Sequence, residues 1–390
     1  MAPDAIDTPE AKSEGQPGGL TELRAAGTAR EAGIGLCLSG GGYRAMLFHA
    51  GTLWRLYDAG VLAGVQRISS VSGGSIAAGL LGLKWGGLSF DPAKAREDLV
   101  PQVVSPIRRL ADHTLDVASV IGGIFLPGTI GDRIAKAYAE HLYGEATLQQ
   151  LPDEPRFVIN ATSAQTGALW RFSKPYMGDY RVGLVEQPTV PIAKAVAASA
   201  AFPPVLSPVT LDLDPAMFKP DSGAGLQHEP YTDEAVLSDG GVYDNLGLET
   251  VWKRCETVLV SDAGGKMRPE PEPATDWARH ALRVIDIMDN QVRSLRKRQL
   301  IDSYKAGERK GTYWGIGTDI ADYGLADPLD CPYARTVRLA AVPTRLKRLP
   351  ARLQEQLINW GYAVCDAALR THVDPGLARP RGFPYPEAAV

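Results

Sequence analysis

The chain has 390 residues, with 41 Lys and Arg against 45 Asp and Glu and a formal net charge of −4. A composition that is 45% hydrophobic and 22% charged is that of an ordinary globular chain and excludes wholesale disorder. The near balance of charges gives no reason to expect a nucleic-acid partner, and the length suits one large domain or two ordinary ones. The four cysteines (Cys37, Cys255, Cys331, Cys365) are scattered, with no Cys-x-x-Cys pair. Neither a metal site nor a disulfide framework is therefore expected. The N-terminus lacks an apolar leader and no run of 18 apolar residues occurs, so a cytoplasmic location is expected.

Residues 1–31, rich in Ala, Gly, Pro, Glu and Thr, read as a disordered tail. Order is expected to begin with a strand at Ile34–Leu38 that ends in Ser39-Gly40-Gly41-Gly42, followed by a helix over Tyr43–Ala59. A second strand, Ile68–Val71, runs through Ser72-Gly73-Gly74 into a small-residue helix at Ile76–Leu81. This βαβα pattern implies a mainly parallel central sheet with helices on both faces, a three-layer α/β/α fold. Further strands are expected at Arg156–Ala161, Ala168–Phe172, Ala235–Leu237, Thr257–Val260 and Thr312–Ile316. Helices are expected at Ile192–Ala201, Leu246–Trp252, Thr275–Tyr304 and Arg345–Leu369. Residues 32–373 then form one domain, with a Pro- and Gly-rich surface insertion at 211–234, a helical layer over 275–371 and a tail at 374–390.

Three loops at predicted strand ends carry the chemistry. Ser72, on a tight strand-to-helix turn, stands where a nucleophile is exposed and where a helix N-terminus favours developing negative charge. Ser70 occupies the place where the usual Gly-x-Ser-x-Gly elbow has its first glycine. The loop Gly40-Gly41-Gly42-Tyr43-Arg44 is either a phosphate cradle or an oxyanion hole. No Lys-Ser or Lys-Thr follows it and the next strand ends in Ser72 rather than an acidic residue, so the oxyanion hole is preferred. Asp239-Gly240-Gly241 closes a third strand and supplies a carboxylate. None of the six histidines (His49, His113, His141, His228, His280, His372) falls where a Ser-His-Asp triad would need it, which leaves a Ser–Asp pair as the economical arrangement.

Together these loops resemble the patatin-like phospholipases, in their bacterial form, across roughly residues 33 to 265. Asn160-Ala161-Thr162, Ala197-Ala198-Ser199-Ala200-Ala201-Phe202-Pro203-Pro204 and Asp244-Asn245-Leu246-Gly247 are similar to bacterial members as well. The resemblance implies a serine lipid acyl hydrolase that uses no cofactor and no metal. Ser72 would be the nucleophile, Asp239 the general base, and amides around Gly40, Gly41, Gly42 and Gly73 the oxyanion hole, with Arg44, Gly74, Gly240 and Gly241 in support. For Arg44 a structural salt bridge is expected. The substrate would be a phospholipid or related lipid, reached by peripheral membrane contact.

The apolar stretch Val117–Gly128 reads either as a lid or as core, and Arg293, Arg296, Lys297 and Arg298 read either as a headgroup contact or as a solvated helix face. A phospholipase effector under the control of a ligand or partner, and a general esterase or thioesterase, remain open alternatives. Headgroup, acyl position and oligomeric state are not legible in the sequence.

Overall fold

The computed structural model of the chain describes residues 31–115, 129–267 and 269–390. The expected N-terminal tail, up to residue 30, and the apolar stretch Val117–Gly128 lie outside the described residues. In chain order the elements are β1 (Glu31–Leu38), α1 (Gly42–Asp58), β2 (Val65–Val71), α2 (Gly73–Lys84), α3 (Ser105–Ala111), α4 (Ile130–Tyr138) and β3 (Arg156–Ser163). They continue with β4 (Leu169–Phe172), β5 (Tyr176–Asp179), β6 (Gly183–Glu186), α5 (Ile192–Ser199), β7 (Val209–Asp212), β8 (Glu234–Asp239), α6 (Gly241–Asp244) and α7 (Glu249–Trp252). The last are β9 (Cys255–Asp262), α8 (Trp277–Lys305), β10 (Lys310–Gly315), α9 (Tyr333–Ala340) and α10 (Ala351–His372).

The strands form one sheet in the order β10-β9-β1-β2-β3-β4-β5-β6. From β10 to β3 every neighbouring pair is parallel, as strand–helix–strand crossovers require. Beyond β3 the chain turns to antiparallel hairpins through β4, β5 and β6. Strand alternation sorts the core into two layers. Leu36, Leu38 and Leu259 point to the large core on one face, while Cys37, Val258 and Val260 point to a smaller one beneath α7 and α8. The expected three-layer α/β plan is thus the one observed.

The large core is closed by α10 lying on α1. Two glycines allow this: a Cβ on Gly51 would stand 1.9 Å from the Ile358 carbonyl oxygen, and one on Gly361 equally close to that of Phe48. Arg55 of α1 and Asp366 of α10 make a buried ion pair at 2.9 Å across the same contact. Residues 374–390, separated in the sequence as a tail, pack back on α10: Asn359 Nδ2 donates to the carbonyls of Tyr385 and Ala389, and Val390 is buried. The 211–234 insertion is likewise laid along the sheet. It starts as β7 on β8, bridges Phe218 to Val185 of β6, and buries Ser222, whose Oγ accepts from Leu184 N–H.

The antiparallel strand β8 sets up the site. β4 pairs with Ile159 to Thr162 of β3, so it fills one edge of that strand. On the opposite edge β2 pairs with Arg156 to Asn160 and β8 with Ala161 to Ser163. β2 and β8 therefore meet head-on along β3, with Val71 opposite Asn160 and Asp239 opposite Ala161. Read from sequence, the strand before Asp239 is one more member of the parallel plan. The structure instead brings it in antiparallel, so that its last residue confronts the residue that follows β2.

Candidate active site

Ser72 is the turn residue between β2 and α2, with φ 52° and ψ −119°. This left-handed backbone costs a residue with a side chain about 1–3 kcal/mol and is held by its surroundings. A Cβ on Gly73 would lie 2.2 Å from the Gly42 carbonyl oxygen, and one on Gly74 would lie 2.3 Å from that of Leu38. The turn is thus pressed directly onto the glycine loop that follows β1. Ser72 N–H donates to Ser199 Oγ at 2.9 Å, and Ser199 Oγ donates to the Asn160 carbonyl at 2.6 Å. Asn160 Nδ2 in turn donates to Ser69 Oγ and the Ser70 carbonyl. The end of α5, the end of β2 and the middle of β3 are thereby fixed together at the position of Ser72.

Asp239 is anchored through its backbone. Its N–H donates to the Ala201 carbonyl at 2.9 Å, and its carbonyl accepts from Thr162 Oγ1 at 2.8 Å. Carboxylate oxygen Oδ1 accepts from Gly241 N–H at 2.7 Å, but Oδ2 is buried and has no hydrogen-bond partner among the described residues. Burial raises the pKa of Asp239 to about 7 and Asp289 pushes the same way, against hydrogen bonding from Gly241 and Ser72. Ser72 is 7% exposed and Asp239 2%. The serine acts on the carboxylate, yet no bond of standard geometry joins Ser72 Oγ to Oδ2. Such looseness is common where a site tightens only around its substrate.

The loop Gly40-Gly41-Gly42 lies beside this pair. Gly41 has φ 142° and Gly42 φ 61°, conformations that glycine enters freely. The amides of Gly41, Gly42 and Gly73 have no acceptor among the described residues, so they remain available as donors. Gly40, grouped with them from sequence, differs: its N–H donates to the Asn245 carbonyl at 3.1 Å. That amide is spent on holding the loop, and Gly40 leaves the donor set. A Cβ there would also meet Asn245 Oδ1 at 2.4 Å.

Among the described residues Arg44 has no carboxylate partner to make the expected salt bridge. Its Nε and Nη2 donate to the Ala263 carbonyl at 3.1 and 2.9 Å, and Nη1 to that of Val342 at 2.5 Å. It therefore ties the glycine loop, through carbonyls, to the loop after β9 and to the loop after α9. Gly240 and Gly241 let the chain turn tightly under the carboxylate; a Cβ on Gly240 would lie 2.3 Å from the Asn160 carbonyl oxygen. His49 is buried below the loop, with Nε2 2.9 Å from the Ser39 carbonyl and Nδ1 2.9 Å from Ser261 Oγ. Burial lowers its pKa to about 4, so it is neutral and structural. No histidine is bonded to Ser72 or Asp239 among the described residues.

Of the basic set on α8, three members turn inward. Arg296 pairs with Asp244 and Glu249, Arg293 Nη2 donates to the Gly265 carbonyl, and Lys297 Nζ lies 4.2 Å from the Tyr313 ring centroid. Only Arg298 stays on an exposed face, against its own helix carbonyl at Ser294. Sequence reasoning gave no role to Ser199, Asn160, Thr162 or Asn245. Each is a small polar residue inside a stretch quoted only for its family likeness, and nothing local marks the bonds it makes across the sheet.

A family model described as patatin-like phospholipase matches residues 36–252. No protein of curated function matches the chain. Among solved structures, human GIVD cytosolic phospholipase A2 in complex with methyl gamma-linolenyl fluorophosphonate is similar at 14% identity and a TM-score of 0.46, covering 86% of this chain and 57% of that one. Human GIVD cytosolic phospholipase A2 without that ligand gives 14% identity and a TM-score of 0.39, over 62% of this chain and 49% of that one. VipD from Legionella pneumophila gives 15% identity and a TM-score of 0.33, over 85% and 67%. The chain spans about half the length of these phospholipase A2 structures. The family match extends over more than half of the chain and takes in the glycine loop, Ser72 and Asp239 alike, so the chain belongs to the patatin-like phospholipase family.

Proposed function

We propose that the protein is a serine lipid acyl hydrolase in which Ser72 and Asp239 work as a two-residue machine on phospholipids or related lipid esters. The observation that carries this reading is the buried Asp239 Oδ2, without a partner beside Ser72, on a carboxylate whose pKa of about 7 suits a base at neutral pH. Ser72 Oγ attacks the ester carbonyl while Oδ2 takes its proton. The resulting oxyanion receives hydrogen bonds from the amides of Gly41, Gly42 and Gly73, each worth about 3 kcal/mol when preorganised. Collapse breaks the ester bond, and the departing alcohol takes the proton held by Asp239. Water then attacks the acyl-serine, Asp239 accepting its proton, and the fatty acid leaves as Ser72 regains its hydrogen.

The geometry calls for no cofactor in any of these steps. Among the described residues no helix is long and apolar enough to cross a membrane, and substrate is met by peripheral contact in the cytoplasm. The four buried free thiols suit that reducing compartment. The test incubates the purified chain and its Ser72→Ala variant with mixed phospholipid vesicles and a chelator, following free fatty acid by mass spectrometry. Release by the parent alone is expected. Equal release from both proteins, or from neither, refutes the assignment.

A further inference from the structure

We propose that the hydroxyls of Tyr43 and Tyr138 form a polar subsite in the acyl region of the Ser72–Asp239 site. It takes an ester whose acyl chain carries an oxygen, as a hydroxyl or a carbonyl, on its first few carbons. The proposal rests on the reading that Ser72 receives an acyl ester. Tyr43 and Tyr138 have no solvent exposure, and among the described residues neither hydroxyl has a hydrogen-bond partner. Buried polar side-chain atoms are nearly always paired, and leaving one unpaired weakens a fold. Two such hydroxyls beside one site call for a ligand.

Two helices bring these phenols to the site. Tyr43 of α1 directly follows Gly42, the glycine whose carbonyl the Ser72 turn is pressed against, and its own N–H donates to the Arg345 carbonyl at 3.1 Å. Tyr138 ends α4, which runs on into a single π turn, Ala139–Tyr143, closed by Gly144 N–H donating to the Ala139 carbonyl at 2.8 Å. Such wide turns are rare and recur at functional sites. The wider turn carries Tyr143 round to the side of Tyr138. Tyr143 Oη donates to the Ile76 carbonyl at 2.8 Å, and Ile76 N–H donates to the Ser72 carbonyl at 3.2 Å. This run of bonds ties the end of α4 to the nucleophile turn. Tyr138 is also within electrostatic reach of Tyr43, Tyr143 and the Asp239 carboxylate.

Chemistry selects the occupant. All three tyrosines belong to the large apolar core, so the wall around the two hydroxyls suits hydrocarbon. The departing alcohol has to reach water and cannot rest against side chains with no exposure, whereas an acyl chain enters apolar surroundings. Burial pushes both phenols above their ordinary pKa, so each keeps its proton and donates as well as accepts. The oxyanion does not need them, because the amides of Gly41, Gly42 and Gly73 serve it. What remains for them is a second oxygen, near the ester because Tyr138 is near Asp239. An unsubstituted chain leaves both hydroxyls unpaired, and a site built to pair such groups discriminates against a substrate without the matching oxygen.

Binding is measured by calorimetry on the Ser72→Ala chain, so it remains readable whether or not the active-site assignment holds. The probes are methyl octanoate and its isomers hydroxylated at the second, third or fifth carbon. At least one hydroxy ester should bind about tenfold or more tightly than methyl octanoate, the gain expected of hydrogen bonds in an apolar place. Adding Tyr43→Phe or Tyr138→Phe should each cut that preference by about threefold or more. In urea unfolding, each Phe substitution in the parent chain should leave the midpoint unchanged or higher, because it deletes an unpaired hydroxyl. Three results overturn the proposal: no preference for any hydroxy ester, a preference that survives both Phe substitutions, or a lower midpoint in both, which would mean that water already satisfies the hydroxyls. Release of plain fatty acid by the parent without any hydroxy preference would sink the subsite and leave the hydrolase standing. A preference without Ser72-dependent release would do the reverse.

Discussion

The Asp239 carboxyl offers a test in which stability and catalysis must report the same proton. Its pKa stands at about 7 in the folded chain against an ordinary aspartate value of 3.8. Below the lower value the group is protonated in both states and contributes no difference. Between the two, the unfolded chain releases a proton that the folded chain keeps, so folding loses stability as pH rises. Above about pH 7 the whole cost is present, on the order of 4 kcal/mol. Asp239→Asn removes the titration while keeping a carbonyl oxygen for Gly241 N–H. The variant should therefore gain stability over the parent progressively from about pH 4 and level off near pH 7. His49 and the other groups that do not act on Asp239 are shared by both proteins and cancel, which leaves the coupling to Asp289 as the one further contribution between about pH 4 and about pH 7. Urea unfolding of the pair from about pH 5 to about pH 8 measures the difference. On a soluble ester, the parent's kcat/KM should rise about tenfold per pH unit and level off near pH 7, since the base must be ionised. A stability difference that does not change with pH, or a flat rate profile through this range, would refute the account.

Three further substitutions probe the surroundings of this pair. Ser72→Gly should abolish fatty acid release yet stabilise the chain by about 1 kcal/mol in urea unfolding, because glycine relieves the backbone at φ 52°. Gly73→Ala would set a methyl 2.2 Å from the Gly42 carbonyl oxygen and force the glycine loop away. The expectation is a loss of about 100-fold or more in kcat with a smaller change in KM. Ser199→Ala leaves the Ser72 amide and the Asn160 carbonyl unpaired in a buried place, which should cost about 2–3 kcal/mol by chemical denaturation and lower kcat as the elbow loosens.

The sequence by itself determined the local features. The glycines after β1, the Ser72 turn and Asp239-Gly240 are legible because a tight turn admits few residue types and because strand and helix periods differ. The parallel half of the sheet follows from the alternation of those elements. The strands β5 and β6 were missed because each has four residues of which one is glycine, which weakens the strand signal that the equally short β4 keeps. Position in the fold was another matter. Only the tertiary structure turned β8 antiparallel and end-on to β2, a pairing fixed by contacts with β3 that no local pattern encodes. Only packing assigned the Gly40 amide to Asn245, turned Arg44 to carbonyls and drew Arg293, Arg296 and Lys297 inward. The same holds for Asp239: sequence supplies a carboxylate, whereas burial from every side moves its pKa to about 7. A residue type is a local property; its desolvation and its partners belong to the whole fold.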